Sequence, residues 1–91
     1  EQEAAVLAII DRQKRVLVCK RAMHLRSHPG EACLAGGKRE DGDASLVDTA
    51  FREAQEEIGV DRELVTVQYE LEPITSLSGM WVHTIVGTVA D

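Results

Sequence analysis

The chain has 91 residues, 44% of them apolar, with only one Trp, one Tyr and one Phe, and a formal net charge of −6. That length makes one small domain with a mostly aliphatic core, and no internal repeat is visible. The acidic balance argues against nucleic-acid binding through a basic surface, and the segment shows neither a run of 18 apolar residues nor a charged-then-apolar leader.

Taken in chain order, Ala4–Ile10 is a short apolar run rich in β-branched residues and reads as a buried strand. Asp11–Lys14 is a polar turn. Arg15–Arg21 reads as a second strand, forming a hairpin with the first. Residues 22–30 carry His24, Arg26, Ser27, His28, Pro29 and Gly30 and read as a loop. Glu31–Leu34 is a brief extended piece leading into Gly36-Gly37, and Lys38–Asp43 is a polar loop. Leu46, Val47, Ala50, Phe51, Ala54 and Ile58 then fall on about 140° of a helix surface, a usual width for a core-facing stripe. Ser45 or Asp43 is placed to cap the start, and Gly59 to end the helix in the left-handed region. After a turn at Asp61-Arg62, Leu64–Glu72 alternates as a half-buried strand until Pro73 interrupts it. Trp81–Val89 is a last strand. The order β-β-β-α-β-β with one helix predicts a mixed α/β domain.

The charges are unevenly spread. Eight of the ten Lys and Arg residues lie between Arg12 and Arg39, and acids dominate from Glu40 onward. Solvated surface is the plain explanation; a polyanionic ligand held between the basic segment and a metal on the acidic helix is the sharper one. Cys19 and Cys33 sit in apolar settings and read as small buried hydrophobes rather than a disulfide, which suits a reducing, intracellular compartment.

Glu53, Glu56 and Glu57 stand at i, i+3 and i+4, within about 100° of arc on one helix face. Like charges at that spacing repel, so the helix itself gains nothing from them. Hard divalent cations such as Mg²⁺ or Mn²⁺ take such oxygen ligands. Glu57 falls at the edge of the apolar stripe, where a carboxylate is costly without a compensating cation. Arg52, four residues before Glu56, is placed to pair with it. Gly36-Gly37 allows close approach of backbone, a positive φ, or an exposed carbonyl. An EF-hand starting at Asp41 fails, because Leu46 and Arg52 occupy its Gly and Glu positions. A zinc site from His24, His28 and Cys33 lacks both spacing and a fourth ligand.

Together these residues resemble the Nudix box, G-x5-E-x7-R-E-U-x-E-E-x-G-U, with U a bulky aliphatic. Arg52, Glu53, Glu56, Glu57, Gly59 and Val60 match, with Ala54 small at a U position. Gly37 is one residue too far from Arg52, and Ala44 holds the place of the first Glu, with Asp43 next door as its stand-in. That extension is similar to the coenzyme A pyrophosphatase branch, whose upstream motif resembles L-L-T-x-R-S…R-x-H-x-G-E…F-P-G-G. Arg21, Arg26, His28, Gly30, Glu31 and the glycine pair match that motif, while Ala22, Leu34 and Ala35 replace Ser, Phe and Pro. The likeness runs from about Ala4 to Val89.

The resemblance implies a Nudix fold, an α/β/α sandwich around a mixed sheet, with residues 1–91 forming one Nudix hydrolase domain cut short at its C-terminus. It implies metal-dependent hydrolysis of the pyrophosphate of coenzyme A or acyl-CoA to 3′,5′-ADP and (acyl-)4′-phosphopantetheine. Glu53, Glu56, Glu57 and Arg52 are then the catalytic group. Glu53 and Glu57 hold Mg²⁺ or Mn²⁺ with help from Glu56 and the Gly37 carbonyl, and Arg21, Arg26, His28 and Gly30 meet the substrate. Water is the attacking group, and the general base stays open. The alternatives are a Nudix hydrolase of another nucleoside diphosphate derivative, such as ADP-ribose, a dinucleotide or a nucleoside triphosphate, or a non-catalytic Nudix-like binding module. Cytosol, mitochondrion and peroxisome all fit. An uncovered apolar edge at the last strand would favour self-association as a homodimer.

Overall fold

A computed structural model describes residues 2–20 and 32–90 of the chain. Arg21, Arg26, His28, Gly30 and Glu31 therefore lie outside the described residues. Strand β1, Glu3–Ile10, runs through the middle of a mixed sheet. It pairs antiparallel with β4, Ala35–Lys38, from Ala4 opposite Lys38 to Leu7 opposite Ala35. On its other edge it runs parallel to β7, Trp81–Thr88, in unbroken register from Glu3–Trp81 to Ile10–Thr88. Strand β5, Thr66–Glu70, and the short β6, Ile74–Thr75, pair in turn with the far edge of β7. A separate two-stranded ribbon joins β2, Cys19–Lys20, to β3, Ala32–Cys33.

Alternation along β1 sends Ala5, Leu7 and Ile9 to one face, where the helix α1, Leu46–Ile58, lies across β1 and β4. Ala50, Phe51 and Ala54 supply the helix side of the core, and Ala35 and Ile85 complete it. Alanines on both surfaces, Ala5 against Ala50 and Ala54, let the helix backbone settle close to the sheet. Ser45 caps the start by accepting from the Asp48 amide at 3.2 Å. Gly59, at φ 70°, ends the helix in the left-handed region and returns its N–H to the Gln55 carbonyl.

The predicted mixed domain is therefore present, with four differences. The strand expected to be half-buried over Leu64–Glu72 is the shorter β5, exposed along its whole length, because α1 covers β1 and β4 on the other side of the sheet; Leu64 belongs instead to a 3₁₀ turn over Arg62–Leu64. The strand expected over Arg15–Arg21 is reduced to one bridge, Ile10 to Val16, one further bond from the Leu17 amide to the Ile9 carbonyl, and then β2. The reason is occupancy: β4 holds β1 from Ala4 to Leu7, so only the Ile9–Ile10 end of that edge is open. Gly36-Gly37 belongs to a strand and takes no positive φ; among the described glycines only Gly59 and Gly79 do. Its glycines answer to crowding instead. A Cβ at Gly36 would collide with the Ala5 carbonyl and come within 2.5 Å of Val6 Cγ1 and 2.7 Å of Val6 Cα. Cys33, expected to be buried, is half-buried.

Gly36→Ala should therefore destabilise the protein by about 1–3 kcal/mol, because the atoms in the way are backbone and a β-branched stem that cannot retreat. Gly42→Ala, where a Cβ meets nothing within 4 Å, should stay within about 0.5 kcal/mol of the parent. Urea denaturation of both variants checks the pair, and equal stabilities would contradict this packing.

Candidate active site

The site is made where α1 crosses β4. Gly37 has no side chain, and the Glu53 carboxylate occupies the space a side chain would need: a Cβ there would lie 2.5 Å from Cδ and 2.6 Å from Oε2 of Glu53. One turn on, the Gly36 amide donates to Glu57 Oε1 at a long 3.4 Å. The glycine pair thus receives both carboxylates against bare backbone.

Glu57 counts as exposed by surface area, yet its carboxyl is tucked against that backbone and its acidity reflects this. Local burial pushes the Glu57 carboxyl up, the Gly36 amide partly opposes this, and a hydrogen bond and repulsion from Glu53, with repulsion from Glu56, add to the rise. The expectation that Glu57 is the carboxylate nearest the core is corrected by area: the Glu53 side chain is only 17% exposed. Glu53 is nevertheless matched, because it lies beside Arg52.

Arg52 is the most connected side chain of the site. Its Nε and Nη2 donate to the two oxygens of Asp43 at 3.0 and 3.1 Å, a bidentate pair, and Nη2 also donates to the Lys38 carbonyl at 3.0 Å. Its Nη1 reaches Glu53 Oε2 at 3.0 Å, Glu56 Oε1 at 3.6 Å and Glu40 Oε2 at 3.7 Å. Asp43, 6% exposed at its side chain, further accepts from Thr49 Oγ1 at 2.8 Å and from the Glu40 amide at 2.9 Å. These donors, Arg52 first, hold the Asp43 carboxyl far below the usual carboxylate range. Asp43, read from the sequence as the stand-in for a missing Glu, is here the anchor of Arg52.

Of the residues singled out beforehand, Glu53, Glu57, Arg52 and Gly37 come together. Glu56 stands at the outer side, 60% exposed. Among the described residues no three carboxylate, imidazole or thiol groups converge as a ready-made cage. The donor set is therefore two hard carboxylates on a glycine strand. It fits a divalent cation on one physical ground: the two carboxylates lie against adjacent glycines, where burial and the charge of Glu53 disfavour the ionised Glu57, a cost that a cation between them would offset. Sequence reasoning missed a second polar group on the same face. His83, buried on β7, puts Nδ1 2.9 Å from Glu70 Oε2, while Nε2 lies 3.3 Å from Glu3 Oε2 without a hydrogen bond. Its only signal was alternation: His83 shares the inward face with Ile85.

A match to the NUDIX domain family runs from residue 1 to residue 84. The chain belongs to that family. Uncharacterized Nudix hydrolases NudL of Yersinia enterocolitica and of an Enterobacter species are 40% and 39% identical to it, each over 97% of this chain and 46% and 47% of their own lengths. The chain thus spans less than half the length of these curated relatives. Among solved structures, the Nudix hydrolase RenU of M. smegmatis superposes with a TM-score of 0.80 at 23% identity, over 98% of this chain and 61% of that one. A C. elegans Ap4A hydrolase in a binary complex gives 0.78 at 18% identity, over 98% and 67%. These two likenesses establish the Nudix fold.

Asp43 makes a pH test available. Its folded-state pKa is depressed, so its contribution to stability is complete above the unfolded value, about 3.9, and is lost as pH falls through the depressed one. Asp43→Asn lacks that contribution at every pH. The melting temperature of the parent should exceed that of the variant by a constant margin from pH 5 to 7, by about the same amount throughout, and the margin should shrink below about pH 4. Thermal melts across the range check it, and a margin that widens in acid would contradict the pairing.

Proposed function

We propose that this chain carries the catalytic part of a Nudix hydrolase that splits the pyrophosphate of coenzyme A or an acyl-CoA into 3′,5′-ADP and (acyl-)4′-phosphopantetheine. The observation that carries the hydrolase reading is the Glu53–Glu57 pair laid on Gly36-Gly37 and braced by Arg52. Kinship with proteins named Nudix hydrolases supports it. The coenzyme A reading rests on the sequence motif of Arg21, Arg26, His28 and Gly30.

In this reading Glu53 and Glu57 hold Mg²⁺ or Mn²⁺. When bound, the cation polarises phosphoryl oxygens and acidifies water. Arg52 holds the Glu53 carboxylate through Oε2, so that its position does not depend on the ligand. Glu56, tied loosely to the same guanidinium, adds negative charge at the outer rim. Arg21 and Arg26 neutralise phosphate charge, and His28 hydrogen-bonds a phosphate oxygen. Among the described residues no Ser or Cys is framed by a base within the site, which leaves water as the nucleophile.

Glu53→Gln and Glu57→Gln each remove one negative ligand with little change of shape. Turnover at limiting Mg²⁺ or Mn²⁺ should fall on the order of 10²-fold or more, together with cation affinity. Near-normal turnover of either variant in the active protein would refute the site.

A substrate panel of coenzyme A, ADP-ribose and dATP tests the finer claim. Arg26→Ala and His28→Ala should each lower kcat/KM for coenzyme A roughly 10- to 150-fold, and lower it less for ADP-ribose. Equal losses on both would leave a Nudix hydrolase of broader specificity.

A further inference from the structure

Thr49, one turn into α1, is completely buried. A hydroxyl so enclosed needs a partner, and in a helix the ready one is the carbonyl four residues back. That carbonyl, of Ser45, already accepts the Thr49 amide at 3.1 Å, and the hydroxyl lies 3.3 Å from it. The hydroxyl is closer to Asp43, donating to Oδ2 at 2.8 Å. Threonine has a single hydroxyl proton, so the shorter contact takes it. Valine would fill nearly the same space with no polar group to satisfy, so packing alone does not call for threonine here.

Three donors meet at Asp43 Oδ2: Thr49 Oγ1, the Glu40 amide at 2.9 Å and Arg52 Nη2 at 3.1 Å. The other oxygen takes Arg52 Nε at 3.0 Å. The Glu40 amide belongs to the loop that carries Asp43 and moves with it. Thr49 belongs to the helix that carries Arg52 and Glu53, so its bond locks the loop carboxylate to the element it serves. We infer that Thr49 is a positioning residue for the cation centre, acting through Asp43 and Arg52 on Glu53, an assignment that rests on the reading of Glu53 as a cation ligand. A guanidinium is planar, so seating Nε and Nη2 on Asp43 aims Nη1 at Glu53 Oε2, 3.0 Å away. Without the hydroxyl, the Asp43 carboxylate is free to turn and Arg52 turns with it. Repulsion between Glu53 and Glu57 then moves the Glu53 carboxylate off Gly37.

Three substitutions separate the hydroxyl from the packing. Thr49→Ser keeps the hydroxyl and loses the methyl, Thr49→Val puts a methyl in the hydroxyl's place, and Thr49→Ala lacks both. Mn²⁺ alone, titrated into the protein by electron paramagnetic resonance, is the probe. Its dissociation constant should rise roughly 3- to 10-fold in Thr49→Val and Thr49→Ala, less than the roughly 10- to 100-fold that follows loss of a ligand's direct partner. Thr49→Ser should bind within about twofold of the parent, although loss of a buried methyl lowers its melting temperature. In the metal-free protein, exchange of the Arg52 Nε proton with water should quicken in Thr49→Val and Thr49→Ala and not in Thr49→Ser. Affinity and exchange that follow melting temperature rather than the hydroxyl would overturn the assignment. So would parent-like affinity and exchange in both Thr49→Val and Thr49→Ala. Failure of the cation reading is seen separately, as Mn²⁺ affinity unchanged in Glu53→Gln, and the exchange measurement then still decides whether Thr49 steadies Arg52.

Discussion

The bidentate grip of Arg52 on Asp43 is the contact on which the site depends. One guanidinium joins three pieces of chain: the end of β4 through the Lys38 carbonyl, the loop before the helix through Asp43 and Glu40, and the helix itself through Glu53 and Glu56. Arginine suits the task because its planar fork serves several acceptors at fixed angles and its charge does not titrate in the working range. Without that fork, Glu53 would have only a bare strand beneath it and a like charge beside it.

The second constraint is an absence. Gly36 and Gly37 have no side chains, and the two vacancies do different work. At Gly36 the missing Cβ lets β4 lie against β1, and at Gly37 it lets the Glu53 carboxylate lie against β4. Packing of the sheet and placement of the charge therefore share one dipeptide. The alanines of the core belong to the same arrangement, since Ala5, Ala50 and Ala54 keep α1 close enough for its carboxylates to touch the strand. Stability and site geometry are set at the same depth, so a substitution that lifts the helix would disturb both.

Much of this was legible in the sequence. The helix stripe, its Ser45 and Gly59 caps, and the strands around Ala4–Ile10 and Trp81–Val89 follow from periodicity and local chemistry, which act over a few residues. The i, i+4 pair of Arg52 with Glu56 was readable for the same reason, although the stronger partner, Asp43, came only with the fold. What stayed hidden depends on neighbours distant in sequence. The hairpin shrank because β4 had taken the edge of β1, a competition invisible along Arg15–Arg21 alone. The glycine pair left close approach, a positive φ and an exposed carbonyl all open, because only the neighbouring strand and helix decide among them. His83 between Glu70 and Glu3 draws on three strands at once.

The central claim is that Glu53 and Glu57 on Gly36-Gly37 form the divalent-cation centre of this Nudix domain. Paramagnetic broadening of backbone amide signals by substoichiometric Mn²⁺ tests it most directly, because the effect falls steeply with distance and needs no substrate. The account predicts that the amides of Gly36, Gly37, Glu53 and Glu57 broaden first and together, and that Mg²⁺ competes the effect away. Broadening that begins instead around Glu3, Glu70 and His83, or along Glu40–Asp43, would contradict it.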